Sequence, residues 1–217
     1  MDPSNQDFFV VSQSSDVLRP LELGWTDEAW RRACLITGSN IRGSAINWGD
    51  FIIASSSCLR HKKPSANLWA HYFPHNPLEE EQSRLSHFGP IDDRYGLGIY
   101  VSQYQPPLDK DGVDMVDRIP AMDTALLLVN PVKGMFEVRV KTRLQAPLDG
   151  LSNEFRVTSP NLNTGMPGSI LYSRDGKMAG VVAGFTPRGN MVAFHPMVLE
   201  YLHHEAIEST EPVSEVS

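Results

Sequence analysis

Apolar residues occur along the chain in short runs that are rich in β-branched and aromatic side chains, with turn-forming residues between neighbouring runs. Runs of this length and composition are typical of strands. The tetrapeptide RDGK at 174–177 predicts a hairpin turn, and NWGD at 47–50 has similar turn chemistry. The pattern therefore predicts an all-β fold. The predicted strands read ACLITGS, RGSAINW, DFIIASSS, NLWAHYF, LGIYVSQY, DTALLLV, FEVRVKTRL, EFRVTS, SILYS, MAGVVAGF and NMVAFH.

Helical features are confined to two short segments, residues 27–32 and 196–204. In the second segment Pro196 fits a first helical turn. One face of that helix is apolar. It is formed by Met197, Val198, Tyr201 and Leu202.

Four segments fall outside the strand pattern. Residues 1–20 and the acidic residues 205–217 are predicted to be mobile tails, because they lack apolar periodicity. Residues 74–94 and 105–120 are predicted to be long polar insertions, and loops of that length tend to be functional or disordered.

Composition narrows the class of protein. The 217 residues suffice for one compact unit of two small sub-domains, which buries roughly 70% of the extended chain's surface. The net charge of −7 argues against nucleic-acid binding, which needs clustered Lys and Arg. No apolar run approaches the roughly 20 residues of a membrane span, so no membrane partner is expected.

The expected location is intracellular, in the cytoplasm or nucleus, rather than secreted. The first residues lack the basic-then-apolar order of a secretory signal. Cys34 and Cys58 are too few for a disulfide framework, and both are expected to be reduced. The last three residues are not a peroxisomal address of the S-K-L type, so entry into peroxisomes would need a partner.

Three segments carry the patterns of a known family in the right order. GSAINWGDFIIASSSCL at 43–59 resembles G-S-x-x-I, a short turn and a strand running into T-A-A-H-C-L. DTALLLVNPV at 123–132 is similar to D-I-A-L-L-K-L-x-x-P-V, and TGMPGSILYSRDGKMAGVVAGF at 164–185 is similar to G-x-S-G-S/G-P followed by a strand, a hairpin and G-V-V-S-G. Together they resemble the trypsin-like (chymotrypsin-fold) serine proteases of the peptidase S1 family. The ending MVAFHPMVLEYL resembles their intracellular HtrA-like and peroxisomal processing branch.

The resemblance implies two antiparallel, six-stranded β-barrels followed by a short C-terminal helix. The first barrel is expected to span residues 21–130, including both insertions. The second, smaller barrel and the helix are expected to span 131–204.

The same resemblance implies that catalysis is lost. It places Ser57 where the catalytic His belongs and Pro167 where the nucleophile belongs, while Asp123 keeps the carboxylate. A Ser hydroxyl cannot serve as a general base near pH 7. Proline supplies neither a hydroxyl nor an N–H, so only Gly165 would remain as an oxyanion-hole donor. The chain is therefore interpreted as a pseudoprotease, without enzymatic activity and without a cofactor.

Asp123 leads to a separate structural hypothesis. A buried carboxylate that has lost its imidazole partner needs replacement hydrogen-bond donors. Ser56, Ser57 and nearby backbone N–H groups are the candidates. We expect Asp123 to be buried and to tie this corner to the DTALLLV strand.

Two alternatives remain open. The chain could be an active serine or cysteine protease with a relocated nucleophile, Ser169 or Cys58, with His61 as a candidate base. Ser169 begins a strand, where its side chain is expected to face away from the cleft. Alternatively, the chain could be a regulatory assembly subunit that acts through its insertions and acidic tail.

The expected partner is a protein or peptide of unknown identity. The resemblance implies an exposed strand edge at Ala183, Gly184 and Phe185, to which a peptide could add as a further strand. Phe185 is expected to narrow the family's specificity pocket. Trp48, at a predicted hairpin tip, is the best candidate for an exposed aromatic anchor. No metal site is expected, because His61, His71, His75 and His87 lack zinc-site spacing.

Overall fold

The computed structural model describes residues 25–38, 41–55, 67–72, 81–87, 95–103, 113–131, 134–145, 153–158, 167–187 and 190–208. Within them the chain forms, in order, α1 (Thr26–Arg32), β1 (Ala33–Gly38), β2 (Ile41–Trp48), β3 (Phe51–Ser55), β4 (Leu68–Tyr72), β5 (Glu81–His87), β6 (Leu97–Ser102), β7 (Ala125–Asn130), β8 (Gly134–Gln145), β9 (Asn153–Thr158), β10 (Ile170–Tyr172), β11 (Met178–Phe185), β12 (Met191–Phe194) and α2 (Met197–Glu208).

The strands close into two antiparallel barrels. The first has the neighbour order β1-β2-β3-β6-β5-β4, and the second has the order β10-β11-β12-β9-β8-β7. Every pairing between these strands is antiparallel. The prediction of an all-β fold with two six-stranded barrels and a short C-terminal helix is confirmed.

Three apolar clusters hold this fold together. One fills the first barrel around Ile36, Ile52 and Tyr72, and a second fills the other barrel around Phe155 and Val182. The third lies between the barrels and includes residues from both barrels and both helices. Burial of apolar surface is the main stabilising term in folding, so this third cluster ties the barrels into one unit.

The tryptophan that is exposed in the structure is not the one that was predicted to be exposed. Trp48, predicted to be an exposed anchor, is fully buried in the cluster between the barrels. Its hairpin tip is turned against the second barrel and α1, which the local turn chemistry cannot reveal. Trp69 on β4 is instead 42% exposed.

Two predicted boundaries are wrong. The first barrel is expected to extend to residue 130. Residues Ala125–Asn130 instead form β7, which pairs with β8 and β10 of the second barrel. Residues 81–87 fall within the predicted insertion 74–94, whereas they form β5. Among the β5 side chains from 81 to 86, those of Ser83 and Leu85 are buried. Leu85 is the single large apolar residue of the strand, so its alternation is easily missed.

The second helix is longer than predicted. It continues to Glu208, so residues 205–208 of the predicted acidic tail are helical. Val198, Leu202 and Ala206 are buried at a spacing of four residues, which extends the apolar face by one turn. Met197, predicted to belong to that face, is 51% exposed. Neither described helix is long and apolar enough to cross a membrane.

Helix α1 packs across the junction between the barrels. Trp25, just before it, stacks on Tyr172 of the second barrel with ring centroids 5.2 Å apart. Arg32, at its end, lies over the Trp48 ring of the first barrel and forms an ion pair with Glu28 at 2.8 Å. The helix therefore contacts both barrels.

The segment that connects the barrels, residues 113–120, is hydrogen-bonded to the second barrel. Met178 N donates to Asp114 O at 2.7 Å, and Val116 N donates to Met178 O at 3.0 Å. Buried His195 reaches the same segment, because its Nε2 lies 2.8 Å from Val116 O. Residues 113–120, the end of the predicted insertion 105–120, are thus packed against the second barrel.

Candidate functional site

The predicted catalytic positions are only partly within the described residues. Pro167, Asp123 and the edge at 183–185 are described, whereas Ser57 and Gly165 lie outside the described residues. Ser56, Cys58 and His61 lie outside them as well. The site is therefore defined by the segments that lead into it, namely the end of β3, the turn before β10 and the end of β11.

The turn that carries Pro167 is pressed against the first barrel. Pro167 and Gly168 are both buried. Gly168 N donates to Val182 O at 2.6 Å, and its φ of +87° lies in the region that favours glycine. A Cβ at Gly168 would overlap the backbone carbonyl of Ser44 on β2. Only glycine fits here, so the turn is fixed against the first barrel.

A buried polar junction adjoins this turn. Asn130 Nδ2, at the end of β7, donates to Ser44 Oγ at 2.6 Å and to Ser169 Oγ at 2.7 Å. All three side chains are buried. We call Ser44, Asn130, Gly168 and Ser169 the seam, because they join the two barrels.

The seam contains Ser169, one of the two candidates for a relocated nucleophile. A serine becomes a nucleophile when a general base accepts its proton. The Ser169 hydroxyl instead accepts a hydrogen bond from the Asn130 amide, which has no basic nitrogen. Ser169 is also fully buried, and the orientation of its side chain relative to the cleft stays a prediction.

A second contact joins the barrels at Ala183. Ser55 Oγ, on the last residue of β3, donates to Ala183 O on β11 at 3.1 Å. The pairing of β11 with β12 shifts register between Val182 and Gly184, so Ala183 is the extra residue of a β-bulge. The bulge leaves the Ala183 carbonyl available to Ser55 of the other barrel.

Beyond the bulge β11 has an open edge. Thr186 N donates to Asn190 O at 2.8 Å on the β12 side. Successive strand residues direct their backbone polar groups to opposite sides, so Phe185 directs its N–H and C=O away from β12. Among the described strands, none pairs with β11 on that side after Val182. Gly184 is half-buried, and a Cβ there would meet no described atom within 4 Å.

The Phe185 side chain packs against the interior cluster of the second barrel. It is half-buried. The backbone of Phe185 is thus held by its own side chain. A specificity pocket narrowed by Phe185 stays a prediction.

The hypothesis of a buried Asp123 is wrong. Asp123 is exposed, and it has a φ of 62° at the start of the segment leading into β7. Its backbone N–H donates to Val140 O at 2.8 Å, and its carbonyl accepts from Arg139 Nη1 at 3.2 Å. These partners belong to β8 of the second barrel. Since β7 is also in that barrel, the Asp-plus-apolar pattern does not bring the carboxylate beside β3.

The strand beside β3 is β6, which was predicted as a strand but not as the neighbour of β3. Ser55 is paired with Leu97, so the residues that face the corner after Ser55 are those just before Leu97. These are Gly96, with a φ of 63°, and Tyr95, which is buried with its ring edge-on to Phe194 at 5.0 Å. Neither side chain carries a carboxylate. Tyr95 and Gly96 are identified by the pairing register of β3 with β6.

Two other side chains that could be reactive, Cys34 on β1 and His71 on β4, lie in the first barrel. Burial raises the pKa of the Cys34 thiol to about 12, so it remains protonated and unreactive at neutral pH. His71 Nε2 lies 2.7 Å from Thr37 Oγ1. In the described ranges no three His, Cys, Asp or Glu side chains are grouped to hold a metal ion.

Comparison with family models and with curated proteins finds no match for the sequence. Solved structures do match. The active form of the Rv3671c protease from M. tuberculosis is similar, with a TM-score of 0.66 and 11% identity over 98% of this chain and 96% of that one. A mutant of Rv3671c in its inactive form has a TM-score of 0.65 and 14% identity, covering 94% of this chain and 98% of that one.

The MamO protease domain from Magnetospirillum magneticum is also similar, with a TM-score of 0.55 and 13% identity over 81% of this chain and 96% of that one. Likeness at these identities establishes the fold. These neighbours are trypsin-like serine proteases built from two barrels. The chain therefore has the trypsin-like double β-barrel fold.

Proposed function

We propose that the chain is a non-catalytic trypsin-like domain that binds an extended peptide or protein segment along the open edge of β11. The observation that carries the proposal is the turn at Pro167. The residue at the nucleophile's position in the resemblance has neither a hydroxyl nor an N–H, and Gly168 beside it is fixed against Ser44.

The chemical losses are independent of one another. Serine in place of the catalytic His removes the general base, which contributes about 10²- to 10⁴-fold to rate. Proline in place of the nucleophile removes the attacking group and one oxyanion-hole donor, and loss of such a donor alone costs about 10²- to 10³-fold. Asp123 does not supply an orienting carboxylate beside β3, because it is exposed on the second barrel. These losses support a domain without hydrolytic activity.

Binding is supported by the contrast between the seam and the edge. Unpaired backbone groups at a strand edge can accept an added strand. Phe185 offers such a pair, and Gly184 beside it leaves space for a side chain of the bound segment. Assembly through the insertions has less support, since residues 81–87 form a barrel strand.

Proline substitution at Phe185 tests the binding proposal. Phe185→Pro removes the outward N–H, which β12 does not use, so the barrel should tolerate it. Peptides selected from a displayed random library on the native chain should lose at least tenfold in affinity for Phe185→Pro, measured by fluorescence polarisation.

Phe185→Ala is the matched control, because it alters the side chain and keeps the backbone donor. It should retain most of the affinity. Selection of peptides whose affinity is the same for Phe185→Pro and the native chain would refute binding at this edge.

A further inference from the structure

The first backbone acceptor of the open edge is already occupied. The Ala183 carbonyl accepts from Ser55 Oγ at 3.1 Å, and Ala183 is only 7% exposed. The preceding carbonyl, of Val182, accepts from Gly168 N at 2.6 Å. Two successive acceptors of β11 are therefore satisfied by groups of the protein itself.

The pairing geometry then fixes what an added strand meets. In an antiparallel pair, the residue opposite Phe185 exchanges both backbone hydrogen bonds with it. The bound residue two positions further toward the C-terminus of the bound segment faces Ala183, because β11 and the added strand run in opposite directions. In an ordinary ladder the N–H of that second residue would donate to the Ala183 carbonyl.

We propose that this edge selects segments whose residue facing Ala183 has no backbone N–H, which among the common amino acids means proline. The proposal rests on the proposed peptide-binding function and specifies its ligand. The Ser55 hydroxyl takes the place of the missing N–H of the ligand.

The selectivity has a desolvation origin. A bound N–H would have to share the buried Ala183 carbonyl with the Ser55 hydroxyl, and the small exposed fraction of Ala183 restricts access to the second lone pair of that oxygen. The N–H would then lose its water for a poor hydrogen bond, which is costly for a buried donor. Proline avoids this loss and also enters the bound state with a restricted φ. We expect proline at this position to bind roughly tenfold tighter than alanine.

Backbone N-methylation of a selected peptide tests the proposal. The probe is the tightest octapeptide obtained from the displayed library, resynthesised with one N-methyl group at each position in turn. One position should lose at least tenfold in affinity, because its N–H pairs with Phe185 O. Two positions further on, N-methylation should leave affinity unchanged or raise it, and proline should be preferred.

Ser55→Ala distinguishes this origin from a general preference for proline. It frees the Ala183 carbonyl, so the alanine form of the peptide should gain affinity and the proline preference should fall toward onefold. Ser44→Ala is the matched control, because it removes another buried hydroxyl between the barrels without touching Ala183. It should keep the proline preference.

The outcomes separate the two proposals. Equal losses on N-methylation at both positions, or a proline preference that persists in Ser55→Ala while the thermal midpoint shows a folded protein, would overturn the selectivity and leave edge binding intact. Failure of the library to yield any peptide sensitive to Phe185→Pro would refute the binding function itself.

Discussion

The two ends of β11 differ in how their backbone groups are used. At Val181 and Val182 the strand has β10 and its preceding turn on one side and β12 on the other, and it lies next to the seam. At Gly184 and Phe185 the described strands pair with it on the β12 side alone. The backbone N–H and C=O of Val182 are hydrogen-bonded to the turn that corresponds to a protease's nucleophile. The backbone N–H and C=O of Phe185 are not hydrogen-bonded to any described strand. This difference is what the proposed function requires, in which the chain binds a segment along β11 and does not cleave it.

The contrast between the two glycines is the strongest way to test this comparison. Gly168→Ala in the seam should destabilise the protein by more than about 3 kcal/mol, because the new Cβ overlaps the Ser44 carbonyl and φ is +87°. Gly184→Ala at the edge should change stability by less than about 1 kcal/mol, since space is open there. Urea unfolding measures both. Similar losses for the two variants would show that the seam is not a rigid contact.

Asn130 tests the polar part of the seam. Asn130→Ala leaves the buried hydroxyls of Ser44 and Ser169 without their donor, and we expect a loss of roughly 2–3 kcal/mol. Ser169→Ala should cost less, about 1 kcal/mol, because the hydroxyl is removed together with its need for a partner. A Ser169→Ala loss as large as that of Asn130→Ala would contradict this ranking.

Alkaline titration tests the interior of the first barrel, where Cys34 is buried. Burial holds the folded pKa of Cys34 at about 12 against an ordinary value of 9.0. The unfolded chain therefore loses its proton first, so stability is complete below pH 9 and falls by about 1.4 kcal/mol per pH unit between 9 and 12. Cys34→Ala should reduce this slope in pH-dependent unfolding relative to the native chain. An unchanged slope in Cys34→Ala would be inconsistent with a buried thiol.

Tyr172 gives the smallest expected effect. Its hydroxyl is buried beside α1 and has no hydrogen-bond partner among the described residues. Burial raises its pKa, since the charged form would be desolvated. Tyr172→Phe removes an unsatisfied group, so stability should change by less than about 1 kcal/mol and should increase. A loss above 2 kcal/mol would reveal a partner that the hydroxyl depends on.

Much of the fold follows from local patterns. The RDGK turn lies between β10 and β11, and eleven of the predicted apolar runs coincide with strands. These features depend on alternation and turn chemistry, which neighbouring residues determine. Strand β5 escaped this reasoning because only Leu85 contributes a large apolar side chain to its buried face.

The site was harder to predict because it depends on which strands are neighbours. DTALLLV has the pattern of a strand that follows a catalytic carboxylate, but β6 holds the position beside β3. Nothing in the local sequence distinguishes these two apolar strands. The burial of Trp48 and the exposure of Asp123 are likewise consequences of barrel packing rather than of local pattern.

Labelling with a fluorophosphonate probe measures whether the chain contains a reactive serine. The native chain, its Ser169→Ala variant and an active trypsin-like enzyme as the positive control are incubated with the probe and analysed by intact mass. We expect the active enzyme to be labelled and the native chain to remain unlabelled. Labelling of the native chain at a single residue would contradict this expectation, and loss of that label in Ser169→Ala would identify Ser169 as the nucleophile.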